Sequence, residues 1–388
     1  MRDRVKEVTQ KEQPLMRIAM LGHKRIPSRE GGIEIVVEEL AVRMAAMGHE
    51  VTCYNRRGHH VSGKMFDAAK CKEYKGVQLR SVPTIDAKGF SAMSSSAFAA
   101  LFAAFGAYDV VHFHAEGPCA MLWLPKLLRK KCVATIHGLD HRAPKWGRLS
   151  SAYIKWGGKC AAKYADELIV LNKSIQQYFV EQYHRETTLM SNGVSAPVHR
   201  AADQIRSRFG LEHKRYVLYL GRIVPGKGIE YLIEAFKECH TDMKLVIAGG
   251  ASDSQAYMSN LREQTRENEN IVFTDFVEGV TLQELYGNAY LYVLPSDSEG
   301  MPLSLLEAMS YGNCCLTSDI AGCTEVLAGH GVTFEKGNVA DLREKLQRLL
   351  DVPDEVDKYG ADAAAYILNR YSWDEVAERT LRLYQNIR

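Results

Sequence analysis

Short apolar runs alternate with amphipathic segments along most of the chain. The first run, residues 16–21, ends at Gly22 and predicts a buried strand. Apolar positions between residues 33 and 44 then recur at close to 3.6-residue spacing, which predicts a helix that ends at Gly48. Residues 51–54 form the next apolar run, so the chain opens with a strand, a loop, a helix and a second strand.

The same alternation continues along the chain and restarts once on the way. Further strands are predicted in two series, at 77–82, 110–113, 132–136 and 168–171, and then at 216–220, 245–248, 271–273 and 291–294. Helical patterns lie between most of these strands, and such alternation predicts parallel sheets that are covered on both faces. The sequence therefore predicts an α/β protein with two doubly wound, Rossmann-like domains.

The two series of elements meet near residues 192–202. We expect a first domain at 16–195 and a second domain at 203–370. Ligands of open α/β sheets bind outside the carboxyl ends of the strands. Two such sheets that face each other form a cleft lined by the loops after their strands, and we expect the functional residues in those loops.

The charge of the chain is unevenly distributed. Of the 388 residues, 46% are apolar and 25% are charged, which is the balance of a soluble globular protein. The formal net charge of +2 argues against a general nucleic-acid binder. Residues 1–195, however, hold 29 basic and 18 acidic residues, a charge of +11, whereas the remainder holds 20 and 29, a charge of −9. The near-neutral total therefore conceals a basic half and an acidic half.

Cysteine usage and the apolar stretches bear on the compartment. The nine cysteines stand at irregular spacings without a C-x-x-C pair, which is typical of a reducing compartment and does not support a metal site. Residues 1–15 lack the apolar core of a signal peptide, and the longest apolar stretch, 97–108, has 12 residues and is too short to span a bilayer. We therefore expect a cytoplasmic protein, and contact with a membrane surface stays open.

Two carboxylates eight residues apart form the most informative motif. Glu299 lies in the loop after a predicted strand, and Glu307 lies inside the helix that follows. Carboxylates accept hydrogen bonds in pairs, which suits the vicinal hydroxyls of a sugar or a ribose, and a helix start attracts phosphate. Most pairs with this spacing are a helix-start acid and a solvated glutamate. Glu307, however, lies in an apolar setting in which an idle carboxylate is costly.

A glycine-rich turn with two cations precedes the first long helix of the second domain. Arg222 and Lys227 lie among the three glycines of residues 221–228, a combination that suits a diphosphate. The segment is similar to a P-loop, but Gly228 stands where that motif requires a Mg²⁺-binding hydroxyl. A plain glycine turn with surface cations is the alternative interpretation.

Gly31 and Gly32 stand at the start of the first helix, where glycines let an anion reach free main-chain N–H groups. No G-x-G-x-x-G motif occurs, which disfavours a nicotinamide or flavin cofactor, and no Asp-x-Asp motif at a strand end indicates an obligatory metal. A Gly-Gly pair alone is more often a plain turn. An anion site and a plain turn are therefore both open for this Gly-Gly pair. We expect neither a cofactor nor a metal.

Two histidine segments end neighbouring predicted strands. His112, His114 and Glu116 belong to the first segment, and His137 and Asp140 belong to the second. Such side chains at strand ends face a cleft and can bind sugar hydroxyls or move a proton. A single histidine at a strand end is more often structural, so not all of them need contact substrate.

The basic excess of the first half is concentrated in one aromatic region. Residues 126–159 contain nine basic residues and one acid, and three of the four tryptophans lie in or beside this segment. Just upstream, an apolar stripe at helical spacing is formed by Phe98, Leu101, Phe102 and Phe105. This combination suits an anionic membrane interface. A buried aromatic core beneath a solvated charged face is the equal alternative.

The segment from Glu299 to Glu307 resembles the large family of retaining, GT-B-fold glycosyltransferases that use nucleotide sugars, which includes phosphatidylinositol mannosyltransferases and sucrose synthases. The resemblance extends from residue 16 to the C-terminus. It implies a cleft between two facing domains and a C-terminal helix, residues 371–388, that returns to the first domain. Supporting matches are Gly31-Gly32, residues 112–114, Asn192-Gly193-Val194, Arg222 with Lys227, and Tyr371-Ser372-Trp373.

The resemblance also implies roles for individual residues. Arg222 and Lys227 would hold the donor diphosphate, Glu299 the donor-sugar hydroxyls, and Glu307 the nucleotide ribose. The catalytic candidates are His114, which matches the family's active-site histidine in the first domain, and Glu299. The other candidates are Gly31, Gly32, Met301 and Leu303 at the donor, and His137, Asp140 and Glu116 on the acceptor side.

The expected activity is the retaining transfer of a sugar from a nucleotide diphosphate sugar, with UDP favoured, to a glycan or lipid-linked acceptor in bacterial surface-polysaccharide synthesis. Both glutamates are assigned to binding, so we expect attack on the leaving-group face without a protein nucleophile. Met301-Pro302 replaces the common Phe-Gly, and proline offers no N–H, which leaves the donor sugar open. The alternatives are a nucleotide-sugar epimerase or a phosphorylase, and a non-catalytic sugar- or membrane-binding scaffold.

Overall fold

The computed structural model describes residues 14–58, 71–85, 87, 90–142, 146–251 and 254–387. Two features noted in the sequence, the polar residues 1–13 and Lys145 of the basic region, lie outside these described residues. The described residues form one sheet of eight strands and one of six, with helices between the strands. The α/β class and the two doubly wound sheets expected from the alternation are thereby confirmed.

The first sheet is parallel except at one edge. Its strands are β1 (Arg17–Leu21), β2 (Glu50–Arg56), β3 (Glu73–Tyr74), β4 (Val77–Val82), β5 (Val110–His114), β6 (Lys131–Ile136), β7 (Glu167–Val170) and β8 (Thr188–Leu189). They lie in the order β3-β4-β2-β1-β5-β6-β7-β8, and β3 pairs with β4 in the antiparallel sense. The chain starts in the middle, so strand order reverses beside β1 and leaves a crevice there.

Helices cover this sheet on both faces. They are α1 (Gly32–Ala46), α2 (Phe90–Phe105), α3 (Glu116–Cys119), α4 (Trp123–Leu127), α5 (Arg148–Tyr164) and α6 (Lys173–Tyr183), with a 3₁₀ turn at Asp140–Arg142. Successive side chains of a strand point to opposite faces. Ile18 and Met20 of β1 accordingly join an apolar cluster with α1, whereas Ala19 and Leu21 join a second cluster with α2.

The second sheet is wholly parallel and repeats the arrangement. Its strands are β9 (Tyr216–Leu220), β10 (Lys244–Ala248), β11 (Ile271–Asp275), β12 (Leu291–Leu294), β13 (Cys314–Ser318) and β14 (Val332–Phe334). They lie in the order β11-β10-β9-β12-β13-β14, so the reversal falls beside β9. The helices of this part are α7 (Asp203–Phe209), α8 (Ile229–Lys237), α9 (Gln255–Gln264), α10 (Gly279–Gly287), α11 (Leu303–Ser310), α12 (Ala321–Leu327), α13 (Val339–Asp351) and α14 (Pro353–Arg370).

The last helix, α15 (Trp373–Asn386), returns to the first sheet. It packs against α1, and the Tyr384 hydroxyl lies 2.6 Å from Nδ1 of His112 on β5. A main-chain bridge between Val194 and Ser372 joins the two crossing segments. The division of the chain at residues 195 and 203 stays a prediction.

The sequence pattern does not indicate four of the strands. β3 and β8 have two residues each, too few for a periodic pattern. β13 continues into Thr317 and Ser318, which interrupt the apolar run although both side chains are fully buried. Central strands such as β9 and β12 are wholly apolar, which is why they can be predicted.

The apolar stripe expected before residue 110 faces outward. The side chains of Phe98, Leu101, Phe102 and Phe105 on α2 are 37–77% exposed. Leu127 of α4, which packs beside α2, is 71% exposed. Within the described ranges, none of the helices has the length and apolar character that crossing a membrane requires. The stripe is therefore a surface feature and not part of the core.

Candidate active site

A cavity of about 330 Å³ lies between the loops that follow the strands of the two sheets. Its lining comes from both parts of the chain, as expected for ligand sites at strand carboxyl ends. Ten of the predicted site residues line it: Gly31, Gly32, His137, Asp140, Arg222, Lys227, Glu299, Met301, Leu303 and Glu307. The remaining two, His114 and Glu116, lie behind this lining.

The turn between β9 and α8 is shaped by glycine. Gly226 and Gly228 have φ angles of +84° and +64°, which side-chain-bearing residues rarely adopt. A Cβ atom at Gly228 would lie 2.0 Å from the Pro295 carbonyl oxygen, so the turn is pressed against the end of β12. This approach brings Lys227 beside the loop that carries Glu299.

Lys227 and Glu299 form an ion pair at the cleft. The Ser296 hydroxyl donates a second hydrogen bond to the same carboxylate, at 2.7 Å. Arg222 also lines the cavity, and its guanidinium makes no ion pair within the described part of the chain. The site therefore offers one uncommitted cation, and a second that is balanced by a carboxylate.

Glu307 lies on α11 and meets the other domain. Its Oε1 accepts a hydrogen bond from Nη2 of Arg29 at 2.7 Å, and its Oε2 accepts one from the Tyr286 hydroxyl at 3.0 Å. Burial raises the pKa of the Glu307 carboxyl, and the nearby Arg29 cation opposes that rise. Sequence analysis missed Arg29, because nothing local distinguishes it from other loop cations.

Two helix N-termini meet in the cleft. Gly32 begins α1 and Leu303 begins α11, and a Cβ atom at Gly32 would lie 3.8 Å from Cδ1 of Leu303. Helix N-termini carry free N–H groups and a partial positive charge. Gly31 is extended, with φ of −158°, and a Cβ there would lie 2.5 Å from Oε2 of Glu34. The two helix starts together favour an anion between the domains.

The loop after β12 touches the first domain directly. A Cβ atom at Gly300 would lie 1.7 Å from the His137 carbonyl oxygen. The Asn172 side chain donates to the Gly300 carbonyl at 2.6 Å, and the Asn192 side chain donates to the Met301 carbonyl at 3.2 Å. The domains therefore meet at the base of the cleft.

His114 does not reach the cavity. It is fully buried, and its Nδ1 lies 3.1 Å from Nε2 of His137, which does line the cavity. His112 and His23 lie in the same buried histidine cluster. Burial lowers the pKa of His137 and of His23 to about 4 and that of His112 to about 3, and it lowers the pKa of His114 as well. These imidazoles are therefore neutral at pH 7, and the catalytic role expected for His114 stays a prediction.

The acceptor-side candidate Glu116 is a correction to the sequence analysis. Its carboxylate is buried and accepts hydrogen bonds from the main-chain N–H of His141 at 3.1 Å and from Nδ1 of His141 at 3.0 Å. Burial raises the pKa of the Glu116 carboxyl to about 8. The strand-end argument placed it in the cleft, but α3 begins at Glu116 and turns the side chain inward. Asp140 and His137 remain the acceptor-side candidates that line the cavity.

Side chains that could bind a metal ion are a further feature of interest in the cleft. Over the described residues, no group of three or more histidine, cysteine, aspartate and glutamate side chains is arranged to hold a metal ion. The cations and helix N-termini described above are groups of the cleft that can bind an anion.

A cleft built from the strand ends of two doubly wound domains, with helix starts directed into it, is the architecture of GT-B enzymes. The family model described as Glycosyltransferase Family 4 matches residues 30–197, and the model described as Glycosyl transferases group 1 matches residues 202–366. The chain belongs to the GT-B glycosyltransferases that use nucleotide sugars. The resemblance inferred from Glu299 to Glu307 is thereby confirmed.

Three comparisons with individual proteins agree with this assignment. The chain is 25% identical to α-maltose-1-phosphate synthase of Mycobacterium tuberculosis over 399 residues, covering 96% of this chain and 100% of that one. The fold is similar to sucrose-phosphate synthase of Thermosynechococcus elongatus, with a TM-score of 0.80, 19% identity and coverage of 95% and 98%. It is also similar to Anabaena HepE solved with UDP-glucose, with a TM-score of 0.78, 16% identity and coverage of 95% and 99%.

The neutral histidine cluster predicts a loss of stability in mild acid. Between about pH 6.5 and 4, His23, His112 and His137 bind protons in the unfolded chain but stay neutral in the folded protein. The free energy of unfolding therefore falls as the pH falls. Each such histidine contributes a slope of up to about 1.4 kcal/mol per pH unit. Urea unfolding at several pH values measures this slope.

The matched variants for this prediction are His112→Asn and, as a surface control, the exposed His240→Gln. The first should flatten the slope and the second should leave it unchanged. Glu116 has a raised pKa and acts in the opposite direction over this range, so slopes are compared between variants and not taken alone. Equal slopes in wild type and His112→Asn would contradict the account of the cluster.

Proposed function

We propose that the protein transfers a sugar from a nucleotide diphosphate sugar, with UDP as the favoured nucleotide, to a glycan or lipid-linked acceptor with retention of anomeric configuration. The product class would be a bacterial surface polysaccharide. The observation that carries the proposal is the cluster at the cleft, where Arg222 and the paired Lys227 and Glu299 face two helix N-termini.

The donor would lie between the two domains. Its diphosphate would be bound by Arg222, Lys227 and the free N–H groups at the starts of α1 and α11, which are positive groups of the cleft that are not paired with Glu307. Lys227 is paired with Glu299, so the diphosphate would share the Lys227 cation with the Glu299 carboxylate. Glu299 then remains beside the phosphate, where it can accept hydrogen bonds from donor-sugar hydroxyls.

The nucleoside and sugar ends would be distinguished by the two glutamates. Glu307 would accept the ribose hydroxyls, since a buried carboxylate accepts a vicinal diol in a paired geometry. Met301 and Leu303 flank Pro302, which has no N–H group, and the N–H groups of Leu305 and Leu306 already donate to the Pro302 carbonyl. At this helix start, Leu303 and Ser304 would offer their N–H groups to the donor. UDP is favoured by the similarity in fold to HepE, which was solved with UDP-glucose.

The transfer step would need no protein nucleophile. The bond between the anomeric carbon and the diphosphate oxygen breaks, and a bond from the acceptor hydroxyl oxygen to the same carbon forms on the same face. The acceptor proton passes to the departing diphosphate. The protein positions both substrates and stabilises charge on the diphosphate. His137, neutral and at the cavity wall, can hydrogen-bond the sugar, with the buried His114 behind it.

A membrane-bound acceptor is favoured by one surface of the first domain. We define this surface, the α2–α4 surface, by Phe98, Leu101, Phe102, Phe105 and Leu127, all exposed by more than a third. Basic residues of α4 and its end border it, namely Lys126, Arg129 and Lys130. Apolar side chains beside cations suit an anionic bilayer surface, with the rings at the level of the headgroups. The protein would then work peripherally at the inner face of the membrane.

Donor binding is tested by thermal unfolding with a panel of nucleotides and UDP sugars. A ligand at 100 times its Kd should stabilise the protein by about 2.7 kcal/mol. Arg222→Ala and Lys227→Ala should each weaken UDP binding, because each removes a cation from the diphosphate site. Arg215→Ala, which breaks the exposed pair with Asp242 outside the cleft, is the matched control and should bind as wild type.

Three outcomes would count against this proposal. If no nucleotide shifts the thermal unfolding, the proposed donor site is wrong. If both Arg222→Ala and Lys227→Ala bind UDP as wild type does, the assignment of these two residues to the diphosphate is wrong. Donor epimerisation without an acceptor, or phosphate-dependent release of sugar 1-phosphate, would identify an epimerase or a phosphorylase instead of a transferase.

Membrane binding is tested by sedimentation with anionic vesicles at low salt. Wild type should bind, and a Phe102→Ser and Phe105→Ser double variant should lose most of the binding, because it removes the two most exposed rings of the α2–α4 surface. The control is Leu368→Ser, which removes an exposed leucine of comparable exposure from α14 in the other domain. If the wild type does not sediment with the vesicles, the proposal of a membrane-bound acceptor is wrong and a soluble acceptor is favoured.

A further inference from the structure

An ion pair crosses the cleft and involves Glu307, one of the proposed donor-binding residues. Nη2 of Arg29, in the loop between β1 and α1, lies 2.7 Å from Oε1 of Glu307 on α11. The two residues are 278 positions apart and belong to different domains. Both line the cavity, so the pair lies on the path by which a ligand reaches Glu307.

The carboxylate of Glu307 is held by two different kinds of partner. Its Oε2 accepts the Tyr286 hydroxyl, which comes from α10 in the same domain and is itself fully buried. Its Oε1 is held by Arg29, whose side chain is 36% exposed and comes from the opposite domain. Tyr286 is therefore a fixed support, whereas Arg29 is the partner that a ligand in the cleft can replace.

Arg29 keeps electrostatic partners when it leaves Glu307. Glu38 and Glu39, on α1 of its own domain, both attract the guanidinium. A cation with an alternative set of carboxylates can be displaced without being left unpaired, which would otherwise be costly.

We propose that Arg29 competes with the ribose of the donor nucleotide for Glu307. To bind, the nucleotide must replace the ion pair between Arg29 and Glu307 with its own hydroxyls. This inference rests on the proposed role of Glu307 as the ribose ligand. Arg29 is then a residue that sets nucleotide affinity by opposing it. A residue that only oriented Glu307 for the ribose would instead support that affinity.

The sign of one substitution separates the two roles. Removal of a competitor strengthens binding, and removal of a support weakens it. In Arg29→Gln the Kd for UDP should fall about two- to fivefold, which is the change expected from the loss of one partly exposed ion pair. Arg29→Lys should give an intermediate value, since a lysine keeps the charge but not the planar donor geometry. Calorimetric titration with UDP measures each Kd.

A matched control and a double variant sharpen the result. Arg17→Gln removes a cation from β1 that pairs with Asp109 outside the cleft, and it should leave UDP affinity unchanged. In the Glu307→Gln background, Arg29→Gln should no longer change UDP affinity, because the residue it competes for is gone. Thermal unfolding of each variant without ligand establishes that it is folded.

A second nucleotide distinguishes failure of this inference from failure of the proposed function. Wild type should bind UDP more tightly than 2′-deoxy-UDP, and Glu307→Gln should abolish the difference. If wild type binds neither, or treats them alike, the ribose role of Glu307 is wrong. If that role holds but Arg29→Gln weakens UDP binding or leaves it unchanged, competition by Arg29 is wrong and the proposed function stands.

Discussion

The close approach of the two domains at Gly300 is the constraint on which the cleft depends. With a carbonyl oxygen 1.7 Å from where a Cβ would lie, no side chain fits at this position. Glu299 and Met301, on either side of it, are therefore held against the strand ends of the first domain. Hydrogen bonds from Asn172 and Asn192 fix this contact from the other side. This backbone contact helps to place Glu299 and Met301, in addition to the ion pair of Glu299 with Lys227 and the burial of Met301.

Local charge, not net charge, governs what the cleft can bind. Residues 196–388 carry a net charge of −9, yet the groups that face the cavity include Arg222, Lys227 and a helix N-terminus. Both cleft glutamates already have cationic partners, Lys227 and Arg29. A nucleotide diphosphate sugar presents hydroxyls to carboxylates and phosphates to cations, so it can exchange partners with each pair.

Sequence patterns located the parts of the site that are local in the chain. The apolar strands, the glycine turn with Arg222 and the spacing of Glu299 and Glu307 all lie within short segments, and ten predicted residues line one cavity. What the patterns could not supply is long-range or directional. The Arg29 pair joins residues 278 positions apart. The end of a strand, likewise, does not tell whether a side chain such as Glu116 points into the cleft or into the core.

The most direct test of the central claim, that the cleft holds the diphosphate of a nucleotide, is the affinity of the wild-type protein for uridine, UMP and UDP measured under one salt condition. The account predicts that affinity rises with each phosphate added, because the cations and helix N-termini act on the phosphates. It also predicts that the rise from UMP to UDP shrinks as salt is added. Equal affinity for all three ligands, or affinity that falls with added phosphate, would contradict it.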